Sequence, residues 1–156
     1  MATQRWFNCS AKQVWDVLGD GWLYPLWVVG ASRIRDVDDG WPAEGSKLHH
    51  SFGVWPLVID DTTEVIEIQP DQRIVLEARG WPVGTARVEI TVQPDGNGSL
   101  VSIAEDVSSG PAQLVPQPVR VAAMDIRNRE TLRRLAYLAE GRADPPLSGR
   151  DEPIEP

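Results

Sequence analysis

Cysteine is almost absent: Cys9 stands alone among 156 residues. A single thiol can form neither an internal disulfide nor a cysteine-based metal cluster. A chain of this length can bury about two thirds of its unfolded surface, so a core without covalent staples is expected. Histidine is nearly as scarce, with only His49 and His50. Neighbours on a strand point to opposite faces, and no third ligand lies at a useful spacing, so no metal is expected. No apolar run approaches the roughly 18 residues that span a membrane. The first twenty residues lack the apolar centre of a secretory signal. Positive charge is in deficit: 15 Lys and Arg stand against 23 Asp and Glu, for a net −8. Without a basic cluster to displace counterions, neither nucleic acid nor an anionic membrane surface is an expected partner. Glycine-rich phosphate loops and the G-x-S-x-G elbow are missing, and no cofactor is expected. These absences describe one cytoplasmic domain with no stable membrane insertion.

What is present begins with tryptophan, seven residues against two phenylalanines. Along the chain, residues 2–8 alternate as a strand. Ser10-Ala11-Lys12-Gln13 then has the form of a capping box, and Cys9 and Val14 stand where a hydrophobic staple would sit. Val14, Trp15, Val17 and Leu18 give the following short helix one apolar side, and a second short helical piece is expected around Pro25 to Val28. From Ala31 the pattern becomes one of strands: 31–38, 46–54, 57–68, 73–79, 83–93 and 99–107. Turn-forming residues separate them, so consecutive strands should pair antiparallel. Residues 109–118 are rich in proline and are expected to be irregular, 119–140 read as one long helix, and 141–156 as a disordered tail. The fold class is therefore α+β. A curved antiparallel sheet of about seven strands wraps the long C-terminal helix in a helix-grip arrangement, with two short helices after the first strand.

At 100° per residue, Val121, Leu132, Leu135, Ala136 and Ala139 share one side of the long helix. Arg127, Glu130, Arg133 and Arg134 take the other. Asp125 and Asn128 lie inside the apolar stripe, where an unpaired polar group costs several kcal/mol. Either Asp125 pairs with Arg129 and Asn128 bonds the sheet, or both face a cavity and orient a ligand. Alternate turns of a meander share an end. One end collects the tight turns near 41–45, 70–72 and 94–98. The other carries Trp55-Pro56, Trp81-Pro82, Leu114 and Val115, and the long helix starts there. That apolar end is either the mouth of a small-molecule pocket or a plug that closes the sheet.

Strand alternation points Leu48, His50 and Phe52 inward. His50 is then either a satisfied core residue or an acid/base group for a bound carbonyl or phenol. Glu64 and Glu105 are expected as rim residues or ion-pair partners. Asp60 and Asp61 alternate on a strand and are expected to be solvated. Cys9, just before a helix, could hold a stabilised thiolate or simply act as a staple. The ligand-binding candidates are His50, Phe52, Trp55, Trp81, Leu114, Val121, Met124, Asp125 and Asn128. His50 with Asp125 is the one catalytic pair on offer.

The chain also resembles the polyketide cyclase/dehydrase-like branch of the START-like (SRPBCC) superfamily. The resemblance rests on Ser10…Val14-Trp15, Trp27, Trp41-Pro42-x-x-Gly45, Thr63-x-Val65 with Pro70, Gly98-x-x-Val101-x-x-x-Glu105 and Arg127-Asn128-x-x-x-Leu132-x-x-Leu135. It covers roughly residues 2–140. It implies a cavity between sheet and long helix, with neither metal nor nucleotide. Members of that superfamily include lipid carriers, quinone binders, hormone receptors, cyclases and aromatases, and no catalytic residue carries over. Three functions are therefore expected in order. The first is binding of a small hydrophobic molecule such as a lipid, quinone or polyketide-like aromatic. The second is cyclase or dehydratase chemistry. The third is a protein-interaction module docking through Trp55 and Trp81, with a homodimer over that patch left open.

Overall fold

The computed structural model describes residues 2–54, 56–80 and 84–142. Strand β1 (Ala2–Phe7) leads into helix α1 (Ala11–Leu18), a 3₁₀ turn (Gly21–Leu23) and helix α2 (Tyr24–Trp27). Six strands follow: β2 (Ala31–Val37), β3 (Lys47–Val54), β4 (Leu57–Gln69), β5 (Arg73–Gly80), β6 (Gly84–Asp95) and β7 (Gly98–Ser109). Helix α3 (Gln117–Gly141) closes the domain. All strands pair antiparallel in one sheet of order β1-β7-β6-β5-β4-β3-β2. The expected α+β helix-grip architecture is the one observed.

Local chemistry explains the element ends. Ser10 Oγ accepts the Gln13 backbone N–H, and Gln13 Oε1 accepts the Ser10 N–H at 2.8 Å, which completes the capping box of α1. The reciprocal bonds satisfy two of the helix's orphan donors. Helix α3 begins two residues before the expected start, with Pro118 in its first turn. Proline suits that position because its missing N–H would have no intrahelical acceptor there. The proline-rich stretch before it is not wholly irregular: β7 runs on to Ser109 and a 3₁₀ turn covers Pro111–Leu114.

The core lies between α1, α2, the second half of α3 and the inner face of the sheet. Phe7, Val14, Val17, Leu48, Ile90, Val101, Leu132 and Leu135 are buried in it. Gly30 sits at φ +102°, and a side chain there would meet the Phe52 ring at 2.3 Å. This glycine lets the chain leave α2 directly over Phe52, a conformation that Cβ-bearing residues rarely adopt.

Three register shifts matter. In β4 a bulge lies between Val65 and Glu67. Thr63 and Val65 therefore face the core, Glu64 points out to Lys47 at 3.4 Å, and Ile68 returns to the core beyond the bulge. Simple alternation would put Glu64 on the same face as Ile68; the extra residue breaks that phase. Strand β2 carries two further shifts against β3, between Ala31 and Arg33 and between Ile34 and Asp36.

Candidate functional site

A cavity of about 430 Å³ lies between the sheet and the first half of α3. Its walls are mainly aliphatic: Ile59 on β4, Leu76 and Ala78 on β5, Ala86 and Val88 on β6, Ile103 and Val107 on β7. Phe52 closes it on the β3 side, and Met124 overhangs it from α3. Val115 and Val119, both exposed, border the opening. The cavity thus sits at the end of the sheet where turn parity had gathered the apolar loops. Trp55 and Trp81, the two tryptophans expected at that end, fall outside the described residues, as does most of the expected tail.

One group of polar residues on the wall centres on His50. His50 lies on β3 between the inward Leu48 and Phe52, as alternation requires. It is 2 % exposed, and its Nε2 lies 2.9 Å from Thr63 Oγ1. Thr63 Oγ1 in turn lies 3.2 Å from the Tyr24 hydroxyl. The Tyr24 ring stacks on His50 at 5.5 Å and meets Trp27 edge-on at 5.3 Å. Burial pushes the His50 imidazole below its usual range, so its neutral form is favoured. Burial likewise pushes the Tyr24 phenol up. Asp61 stands directly across from His50 in the β3–β4 register and also lines the cavity. The expectation of a solvated Asp60–Asp61 pair therefore holds for only one member. Asp60 points outward, accepting from Ser51 Oγ at 2.7 Å and pairing with Arg35. The hairpin register carries the signal for Asp61: any residue opposite an inward His50 must share its face.

Helix α3 presents Arg120, Met124, Arg127, Asn128 and Thr131 to the cavity. The stripe projected from Val121 is right for Leu132, Leu135, Ala136 and Ala139, which are buried. It is wrong for the first half. There the cavity-facing side is turned by roughly a quarter of the helix circumference, because this half borders the sheet's hollow while the second half packs on α1 and α2. Three corrections follow. Val121 is exposed and does not line the cavity. Asp125 faces β1, where it accepts from Thr3 Oγ1 at 2.9 Å and from Arg129 Nε at 2.8 Å. These bonds, Arg129's foremost, hold its carboxyl below the usual range. Arg127, assigned to the polar side, instead reaches the cavity wall and pairs with Glu105, whose side chain is 3 % exposed. The ion-pair role expected for Glu105 is the one seen.

His50 and Asp125 are therefore not brought together, and their acid/base pairing has no geometric basis. Leu114 is 87 % exposed and stays off the cavity; its neighbour Val115 takes the place expected for it. Asn128 does face the cavity and is 4 % exposed. Sequence reasoning missed Tyr24, Trp27 and Asp61 as wall residues, and Thr63 as the partner behind His50. The Cys9 thiol is buried, and that burial pushes it above its usual range, which argues against a stabilised thiolate. Among the described residues, no helix is long and apolar enough to cross a membrane.

The same architecture recurs in solved structures. The di-domain ARO/CYC protein StfQ of the steffimycin biosynthetic pathway superposes with a TM-score of 0.70 at 12 % identity, over 92 % of this chain and 51 % of its own. DynU16, from the dynemicin biosynthetic locus, gives 0.67 at 17 % identity, over 90 % of this chain and 47 % of its own. A protein from Rhodobacter sphaeroides gives 0.69 at 20 % identity, over 90 % and 91 %. At these identities the similarity shows the fold alone. No curated protein matches the chain. Residues 1–140 match the family described as polyketide cyclase / dehydrase and lipid transport, which takes in every element from β1 to nearly the end of α3. The chain belongs to the polyketide cyclase/dehydrase and lipid transport family.

Proposed function

We propose that this protein binds a small hydrophobic molecule in the cavity between the sheet and α3. The observation that carries this reading is the cavity itself. About 430 Å³ of mostly aliphatic space is left unfilled inside a domain whose core is otherwise packed. Protein interiors tolerate few voids larger than a water molecule, so a space of this size is expected to have an occupant. The polar groups of one wall would orient that occupant. A lipid, a quinone or a polyketide-like aromatic all suit the size. The family and the company of polyketide-biosynthesis folds support the same class. The reduced, buried Cys9 fits a cytoplasmic setting.

Native mass spectrometry of gently purified protein tests the reading. A mass excess that vanishes on denaturation is the expected result, and its size separates the lipid, quinone and polyketide readings. Asn128→Leu should keep the fold and weaken that binding by about tenfold, the worth of one hydrogen bond of roughly 1.4 kcal/mol. Unchanged affinity would remove Asn128 from the site.

A second reading, cyclase or dehydratase chemistry, is favoured by one observation: Asp61 and a neutral His50 face each other on the cavity side. The Asp61 carboxylate can take a proton from carbon beside a carbonyl whose oxygen accepts from the imidazole N–H, and a folded chain held in the cavity would then close on itself. Incubation with a linear poly-β-keto thioester should yield a ring product that is lost in His50→Gln. Equal yields with the two proteins would rule that chemistry out. The docking-module reading rests on Trp55 and Trp81, which the described residues do not include.

A further inference from the structure

Two side chains of the cavity wall are at least nine-tenths buried and carry a nitrogen without a hydrogen-bond partner among the described residues. They are Trp27 at Nε1 and His50 at Nδ1, with 3 % and 2 % exposure. Trp15 Nε1 is in the same condition but lies off this cavity. Unpaired buried polar atoms are rare, because each forfeits its bonds to water for nothing in return. Two on the wall of one cavity, with the 4 % exposed Asn128 on the same wall, mark a place where something else supplies the partner.

The sense of the missing bond can be worked out. An indole nitrogen only donates. The His50 tautomer follows from the chain of hydroxyls behind it. If Tyr24 O–H donates to Thr63 Oγ1 and Thr63 O–H donates to His50 Nε2, both hydroxyl protons have acceptors. The remaining imidazole proton then sits on Nδ1, which becomes a donor. The reverse order leaves the Tyr24 hydroxyl proton without an acceptor as well as the Nδ1 lone pair. The first order strands fewer groups and is the favoured one. Trp27 and His50 therefore both present N–H, and Asn128 adds an amide that can also donate. Beside the Asp61 carboxylate, this wall thus offers several donors.

We infer that Trp27, His50 and Asn128 form a subsite for an acceptor oxygen, so that the cavity's ligand is a ring ketone or related carbonyl compound rather than a plain hydrocarbon or an acyl tail. The inference rests on the cavity-binding reading and narrows it. A carbonyl oxygen has two lone pairs, so it can meet two donors at once. An alkyl chain in the same place leaves all the donors stranded.

Fluorenone and fluorene test this, since they share a carbon skeleton and differ by one carbonyl oxygen. Their affinities would be measured by titration calorimetry, with the indole N–H proton resonances followed alongside. Trp27→Phe identifies the Trp27 resonance. Fluorenone should bind at least about tenfold more tightly than fluorene, a factor worth one net hydrogen bond. It should also move the Trp27 indole resonance downfield, where fluorene should not. In Trp27→Phe the ratio of the two affinities should shrink. Equal affinities in the native protein, or a ratio unchanged in both Trp27→Phe and Asn128→Leu, would overturn the subsite and leave the apolar cavity reading intact. Binding of neither probe would overturn both. Should Trp27→Phe not fold, the native resonance shift and the Asn128→Leu ratio decide between the same outcomes.

Discussion

His50 is held where its charge is unwelcome. Burial lowers its proton affinity in the folded protein relative to the unfolded chain, where the usual value is 6.5. Between the unfolded and folded values the unfolded chain binds more protons, so stability falls as the pH falls. The contribution is complete above about pH 6.5 and is lost as the pH drops through the folded value. Thermal melts should therefore show a falling Tm from pH 7 toward pH 5.5, before the carboxylates begin to titrate. His50→Gln should remove that slope. A slope that survives the substitution would place its origin elsewhere. At this scale the sequence was legible where a residue had one plausible direction. Leu48, His50 and Phe52 share a face because a strand allows nothing else. Asp125 could not be placed in the same way. Its choice between β1 and the cavity depends on a quarter turn of helix that periodicity does not fix.

At the scale of elements, ends were more legible than faces. The S-x-x-Q box of α1, the glycines after it and the turn residues between strands all act within a few residues. Their physics is local, and the strands fall within one or two residues of where alternation put them. Ser10→Ala removes one half of the capping box and should cost about 1 kcal/mol, measured as a shift of the denaturation midpoint. No change would mean that tertiary packing alone holds α1. Helix α3 shows the opposite case. Its second half packs against α1 and α2, and its first half borders a hollow. One apolar stripe drawn through both halves averages two different surroundings. Arg127 reads as solvent-facing on that average, yet it pairs with Glu105 on the cavity wall. The bulge after Val65 is similar, since an extra residue in a strand leaves no mark in the hydrophobic pattern.

For the whole molecule, the sequence told which residues face inward but not whether opposing layers touch. The space exists because Ala78 and Ala86 face it from neighbouring strands, and the first half of α3 does not descend to meet them. Filling it is the direct test of what it is for. Ala86→Phe would occupy part of the hollow and should raise stability by about 1 kcal/mol, as cavity-filling substitutions commonly do. The same change should abolish the mass excess in native mass spectrometry. A protein that is stabilised yet still carries its ligand would place the ligand elsewhere.

The order of the sheet has one more consequence. An open sheet keeps two margins, and each is a template on which a foreign strand could grow. At one margin, Thr3 and Asn8 are tied to α3 through Asp125 and Glu140, so the helix stands guard over β1. At the other, β2 breaks step twice with its neighbour and carries Arg33, Arg35 and Asp36. A kinked, charged border offers an incoming strand no continuous ladder to join. The domain can thus keep a hollow, apolar interior in a crowded solution without inviting its own copies to add to the sheet.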